Sequence, residues 1–327
     1  MSARDTALAA LIAYRKQNAW SEGILKEYIA RDKLDRRDAA LASRLCYGVI
    51  QNRLLLDFYI QSFLKGKLKD LQPVVLDILR LGMYQLTMMD KIPVSACVNE
   101  AVEQGKRYAN HRAAGLVNGL LRAVSRAGQL PQPQDLATKY SHPQKLVELF
   151  RESVGDELLQ PLLQADNEAP ATVVQVNTLR MTPEEACRQL QAQGAAWKRH
   201  PYLPDCLYVT GTGSIEALDL FQSGGIYVQD PAAKLAVLAA GLTPGMQVLD
   251  CCAAPGGKSF TAAIAMQNQG VIISSDIYEH KIALLEKGAS RLGASVIHPV
   301  LQSAVELKPQ WIGVMDAVLA DVPCSGF

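Results

Sequence analysis

The stretch Gln247-Val-Leu-Asp-Cys-Cys-Ala-Ala-Pro-Gly-Gly-Lys-Ser259 is an apolar run that stops on a Pro-Gly-Gly turn and restarts with helical spacing. It predicts a strand over 247–252 and a helix over 257–268. A strand that delivers its C-terminal end into a glycine turn at a helix N-terminus presents bare backbone and a positive dipole end to a nucleotide-like ligand. Outward from it the pattern repeats. A strand over 271–276 and a helix over 278–292 closed by Gly293 come next, followed by strands over 295–300 and 317–321. Consecutive βα units with apolar strands imply a doubly wound, Rossmann-like parallel sheet.

Upstream the periodicity changes. From Ser2 to Arg126 apolar residues recur at helical spacing, as in Leu8/Leu11/Ile12, Leu41/Leu45/Val49 and Val75/Leu76/Leu79, with breakers at Gly66, Pro73, Pro93 and Gly128. That reads as an all-helical domain over 1–128. The segment 129–143, entered through Gly128-Gln-Leu-Pro-Gln-Pro133, reads as a linker. Between 144 and 225 a helical stretch, an alternating strand at 172–177, a helix at 183–193 and a strand at 207–210 make a small α/β subdomain. A short strand at 226–229 opens the α/β domain expected over 226–327.

The chain has 327 residues, 49% of them hydrophobic, enough for two or three buried cores. No run approaches ~18 apolar residues and the start Met-Ser-Ala-Arg-Asp has no apolar targeting core, so a cytoplasmic protein with no membrane partner is expected. The seven cysteines (46, 97, 187, 206, 251, 252 and 324) contain no CxxC pair and no zinc-type spacing, so no metal is expected. A net charge of +1 hides an asymmetry: residues 1–128 carry 20 Lys/Arg against 12 Asp/Glu, and the remainder 13 against 20. A basic helical domain joined to an acidic half suggests that the former meets a polyanion, with ordinary solvated helix surface as the alternative.

Three features carry chemistry. Gly257-Lys258-Ser259 is not a phosphate-binding P-loop, because Cys252 stands where that motif needs its first glycine, and no G-x-G-x-x-G is present. A turn of Ala-Ala-Pro-Gly-Gly suits a ligand without a pyrophosphate, and S-adenosylmethionine fits, its aminocarboxypropyl end at the turn. Asp276, 26 residues after Asp250, ends the next strand where an acid accepts from ribose hydroxyls. Cys324 follows Asp321-Val-Pro. A thiolate added to carbon 6 of a pyrimidine makes carbon 5 nucleophilic enough to take a methyl group. Taken singly, each has a simpler alternative: a turn that only packs its helix, a helix-capping acid, a buried structural thiol.

Together these segments resemble the RNA 5-methylcytosine methyltransferases, and within them the bacterial small-subunit (16S) rRNA cytosine-C5 methyltransferase family RsmB/Fmu/Sun. Cys252-Ala-Ala-Pro-Gly-Gly-Lys258 and Asp321-Val-Pro-Cys-Ser325 carry the resemblance most specifically. Leu79-Arg-Leu-Gly-Met-Tyr-Gln85, Asn99-Glu-Ala101 and Gly115-Leu-Val-Asn118 look like the NusB-type part. Tyr140-Ser-His-Pro143, Val176-Asn-Thr-Leu179 and Val228-Gln-Asp230 look like the family's middle segments. The resemblance implies a multidomain protein: an all-α NusB-like RNA-binding domain, a small α/β subdomain and a Rossmann-like methyltransferase domain. It further implies S-adenosylmethionine held by Cys252, Ala253, Ala254, Pro255, Gly256, Gly257, Lys258, Asp276 and Asp321, and 16S rRNA as partner of a monomeric enzyme. Gln302 stands near where the family usually has an acid that contacts the adenosine, and is expected to bind the same ligand. The family's nucleophile comes from a later Thr-Cys-Ser segment, with Cys324 serving product release. A C-terminally truncated chain with an incomplete sheet and impaired activity is therefore expected, Cys324 being its one catalytic candidate. A catalytically dead RNA-binding remnant and an antitermination-like adaptor are the alternative readings.

Overall fold

The computed structural model describes residues 1–17, 21–168, 171–212, 214–306 and 308–322. The chain divides into two compact units, Met1–Glu168 and Ala169–Phe327.

The first unit is helical. Its helices run Ala3–Gln17, Ser21–Arg31, Arg36–Gln51, Arg53–Phe63, Pro73–Met88, Val94–Tyr108 and His111–Arg126, followed by Leu136–Tyr140 and Gln144–Asp166. Local chemistry sets several starts. Asp35 accepts from Asp38 N at 2.8 Å, Asn110 accepts from Ala113 N at 2.9 Å, and Pro73 supplies a pre-set φ in the first turn. The helix Pro73–Met88 is the central one: Val75, Ile78, Leu79, Leu81 and Met83 are all buried in one core with Leu8, Leu45, Leu56, Ile60 and Leu121. Asp77 is buried with them, held by Arg15 at 3.0 Å and Arg80 at 3.2 Å, while Arg80 also grips Asp57 with two hydrogen bonds. Part of the stretch expected to be a linker is structured. Asp135 caps the helix Leu136–Tyr140, and His142 Nε2 lies 2.7 Å from Asp166 Oδ2. Turn-rich composition did not disclose those side-chain clasps.

The second unit holds two four-stranded sheets. Strands β1 (Thr172–Val176), β2 (Ala196–Arg199), β3 (Cys206–Thr210) and β4 (Ile226–Val228) form an antiparallel sheet ordered β2-β3-β1-β4. The helix Pro183–Ala192, opened by a Thr182/Glu185 capping box, covers the apolar side of this sheet. β4 pairs with β1, Val174 opposite Val228, so residue 226 belongs to this sheet and not to the parallel one.

Strands β5 (Gln247–Asp250), β6 (Val271–Asp276), β7 (Ile297–Leu301) and β8 (Ala317–Leu319) form a wholly parallel sheet ordered β7-β6-β5-β8. The helices Gly257–Ala265 and Glu279–Leu292 make the first two crossovers. The chain runs outward from β5 to β6 and β7, then returns to the other side of β5 as β8. The crevice beyond β5 and β8 is therefore the topological switch point, where ligands bind in open α/β sheets. Two strands end earlier than the residue pattern implies. After Asp250 the backbone leaves the β5 ladder, Cys251 N donating to Leu319 O and Ala253 N to Ser275 O (both 2.9 Å), which aims the following residues over the strand ends. Among the described residues no helix is long and apolar enough to cross a membrane.

Candidate active site

The glycine turn is shaped by what surrounds it. Gly256 has φ +115°, a backbone that L side chains rarely adopt, and a Cβ there would lie 2.3 Å from Phe260 Cζ. Phe260 occupies that space, packed edge-on against Tyr227 at 5.9 Å between centroids. Gly288 on the next helix clears the other side, with a hypothetical Cβ 2.4 Å from the same ring. The turn thus sits on an aromatic side chain seated between two glycines.

Beneath it runs a buried polar chain. Ser259 Oγ donates to Asp250 Oδ2 at 2.7 Å and lies 2.7 Å from Ser274 Oγ, and all three residues have zero exposure. Burial pushes the Asp250 carboxyl up to about 6, and among the described residues its Oδ1 has no side-chain hydrogen-bond partner. Gln229 approaches from the end of β4: its Oε1 accepts from Thr261 Oγ1 at 2.6 Å, and its buried Nε2 has no partner among the described residues. None of these groups is in the set expected to hold the ligand. A lone Asp in a strand is unremarkable in sequence, and Gln229, though it lies in the Val228-Gln-Asp230 segment noted above, carries no expected role; only the pairing of Asp250 with Ser274 across β5 and β6 brings the first chain together.

At the strand ends, Asp276 is 6% exposed, accepting from Tyr278 N at 3.3 Å and lying 3.5 Å from Lys281 Nζ. Gln302 N donates to Asp276 O at 3.0 Å, which sets the end of β7 beside that of β6. Lys258, in the first turn of its helix, pairs with Asp321 just past β8, so the two sequence segments that stand 63 residues apart meet through one ion pair. The structure therefore brings Cys252–Lys258, Asp276, Gln302 and Asp321 to the C-terminal edge of one parallel sheet. Cys324 lies outside the described residues.

The described cysteines are quiet. Burial raises the thiols of Cys46 and Cys97 to about 12 and pushes Cys187, Cys206, Cys251 and Cys252 upward as well. Thiols so shifted are protonated at neutral pH and are poor nucleophiles. Cys251 and Cys252, for all their closeness to the turn, have the chemistry of packing groups.

A parallel sheet switched at β5/β8, with a glycine turn and acids at successive strand ends, is the α/β methyltransferase architecture, here following an all-helical unit. Comparison with known proteins agrees region by region. Residues 1–126 match the NusB family, 142–216 the RsmF/B-like ferredoxin-like domain, and 237–327 the 16S rRNA methyltransferase RsmB/F family. The chain is 33% identical over 333 residues to the probable ribosomal RNA small subunit methyltransferase B of Bacillus subtilis, covering all of this chain and 74% of that protein. It is 31% identical to the ribosomal RNA small subunit methyltransferase B of Vibrio cholerae, covering 90% and 68%. The crystal structure of PH0851 superposes with a TM-score of 0.74 over 98% of this chain and 74% of that one; at 23% identity this speaks for the fold. The chain belongs to the RsmB/F family of 16S rRNA methyltransferases.

Proposed function

We propose that this chain binds S-adenosylmethionine at the β5/β8 crevice and serves methyl transfer to carbon 5 of a cytosine in 16S rRNA, with the helical unit gripping the RNA. The observation that carries the reading is the convergence of the glycine turn, Asp276 and the Lys258–Asp321 pair on one sheet edge. The residues suit the ligand. Its carboxylate matches the N-terminus of the helix Gly257–Ala265, and its ammonium and ribose hydroxyls are donors matched by Asp276 and Asp321. The glycine turn lets backbone come close where a side chain would intrude.

S-adenosylmethionine supplies an electrophilic methyl group. The chain's own residues bind and orient. Asp250, Ser259 and Ser274 fix the start of the helix on the sheet. Lys258 holds Asp321 next to the turn. Cys324 is the thiol that the Pro-Cys-Ser segment following in sequence offers for addition to the pyrimidine or for release of the product. The names of the relatives favour ribosomal RNA as substrate, and the balance of 20 basic against 12 acidic residues over 1–128 suits a polyanion.

The test is transfer of labelled methyl from S-adenosylmethionine to deproteinised or partly assembled small-subunit RNA, followed by nucleoside digestion. Label recovered as 5-methylcytidine is expected. Label on another nucleoside removes the cytosine reading, and the absence of transfer with intact ligand binding favours an RNA-binding role.

A further inference from the structure

The antiparallel sheet has two faces. The helix Pro183–Ala192 covers one, over Val174, Leu207 and Val209. Side chains alternate along a strand, and Lys198 stands opposite Tyr208 in the β2–β3 ladder, so these two belong to the other face. That face is aromatic along its β2 edge. The His200 ring stacks on Tyr208 with centroids 5.7 Å apart and planes at 24°, and Tyr202 meets His200 edge-on at 6.1 Å. The backbone holds the rings in place. His200 N donates to Cys206 O at 2.9 Å, Cys206 N donates to Leu203 O at 3.1 Å, and Pro201 and Pro204 restrict the loop between them. Tyr202 N donates to His200 Nδ1 at 3.2 Å, which leaves a ring proton on Nε2. Leu203 is 5% exposed and anchors the loop, whereas Tyr202 beside it is 84% exposed. Charge follows the same edge. Residues 129–327 carry 20 acids against 13 bases, yet from Ala186 to Pro204 the only charged side chains besides His200 are three cations, Arg188, Lys198 and Arg199. Glu184 neutralises Arg199 on the helix side and Lys234 occupies Asp205, but among the described residues no ion pair engages Lys198.

We propose that Tyr202, His200 and Tyr208, with Lys198 beside them, form a stacking platform for a single-stranded segment of RNA. The inference rests on the reading of the chain as an RNA-binding protein and adds a contact surface outside the helical unit. Stacking needs an accessible ring held in a fixed place and accepts any base, because every base has a π-face. Tyr202 offers such a ring, backed by two more. Bases inside a duplex have their faces covered by their neighbours, so the platform selects unpaired RNA. Lys198 and the His200 Nε2–H supply donors for phosphate oxygens. An apolar partner surface would leave those donors without acceptors, at the cost of their desolvation.

The experiment measures, on the full chain, the fluorescence polarisation of a labelled single-stranded RNA of mixed sequence and of the same RNA annealed to its complement. Contacts are mapped by photocrosslinking with 5-iodouridine placed in the single strand. Adducts within residues 197–208 are expected. Single-strand affinity should fall by roughly fivefold to a hundredfold in Tyr202→Ala and stay within about twofold in Tyr202→Phe, which keeps the ring. Duplex affinity should be unchanged in both, and because Tyr202 is largely solvent-exposed its loss leaves the fold intact. Absence of adducts from 197–208, single-strand affinity unchanged in Tyr202→Ala, or an equal loss for the duplex overturns the platform; the first two together leave this face to a protein partner. Failure of the wild-type chain to bind either RNA overturns the RNA-binding reading and this proposal with it.

Discussion

Replacing Gly288 or Gly256 by alanine pushes a methyl group into the same ring, Phe260, from two sides, yet the two substitutions should behave differently. At Gly288 the backbone is ordinary helix, and the hypothetical Cβ lies 2.4 Å from Phe260 Cζ. Alanine gains up to about 1 kcal/mol in helix propensity but incurs about 1–3 kcal/mol of overpacking, a net cost of about 0–2 kcal/mol. At Gly256 the contact is 2.3 Å and φ is +115°, so about 1–3 kcal/mol of backbone strain adds to the clash. Phe260→Leu removes the ring tip that both methyl groups strike. In that background Gly288→Ala should turn neutral or slightly stabilising, whereas Gly256→Ala should still cost about 1 kcal/mol or more, because the strain does not depend on the ring. Hydrogen exchange of peptides spanning 245–295 reports the local opening free energy without assuming that the whole chain unfolds in one step. Equal costs for Gly288→Ala with and without the phenyl ring would refute the seating of Phe260 between the glycines. Equal behaviour of the two alanines in the Leu background would refute the strain at Gly256.

Three further outcomes are expected. The buried Asp250 carboxyl is raised to about 6, above its unfolded value, so the folded state holds the proton more tightly and stability falls as pH rises from about 4 to 6. Asp250→Asn should remove that slope, gaining at most about 3 kcal/mol on the wild type between pH 4 and 7; a stability difference between the two proteins that stays constant with pH would contradict it. Lys234→Ala should destabilise the second unit by roughly 2 kcal/mol or more, because the residue is 5% exposed and its loss strands Asp205, 2.5 Å away, and the buried Gln175; urea midpoints check this. RNA affinity of the full chain should fall with salt by about 0.7–0.9 log units per decade for each phosphate neutralised, and the exposed Lys65, Lys67 and Lys69, changed together to Glu, should flatten that slope. A slope unchanged by the triple substitution would place the contacts elsewhere.

Much of the fold was legible in the residues, for physical reasons that also mark where legibility ends. The β5–turn–helix unit could be read because strand period, Pro-Gly-Gly and helix period are local signals within thirteen residues. Asp276 could be read because its place is fixed by the next strand end. The pairing of Lys258 with Asp321 and the chain from Asp250 to Ser274 could not, since both depend on which strands become neighbours. Gln229 reaches the turn from β4's end, in the other sheet, where nothing local hints at Thr261. The clasp of His142 on Asp166 similarly lies within a segment whose prolines read as a connection.

The central claim, that this sheet edge holds S-adenosylmethionine, is tested most directly by calorimetric titration of the ligand into the wild-type chain and into Asp276→Ala. Asp276 is nearly fully buried at the end of β6, and loss of one charge-assisted hydrogen bond costs about 1.5–3 kcal/mol. The account expects binding to the wild-type chain and an affinity lower by roughly tenfold to a hundredfold in the variant. Equal affinity in the two proteins would contradict it.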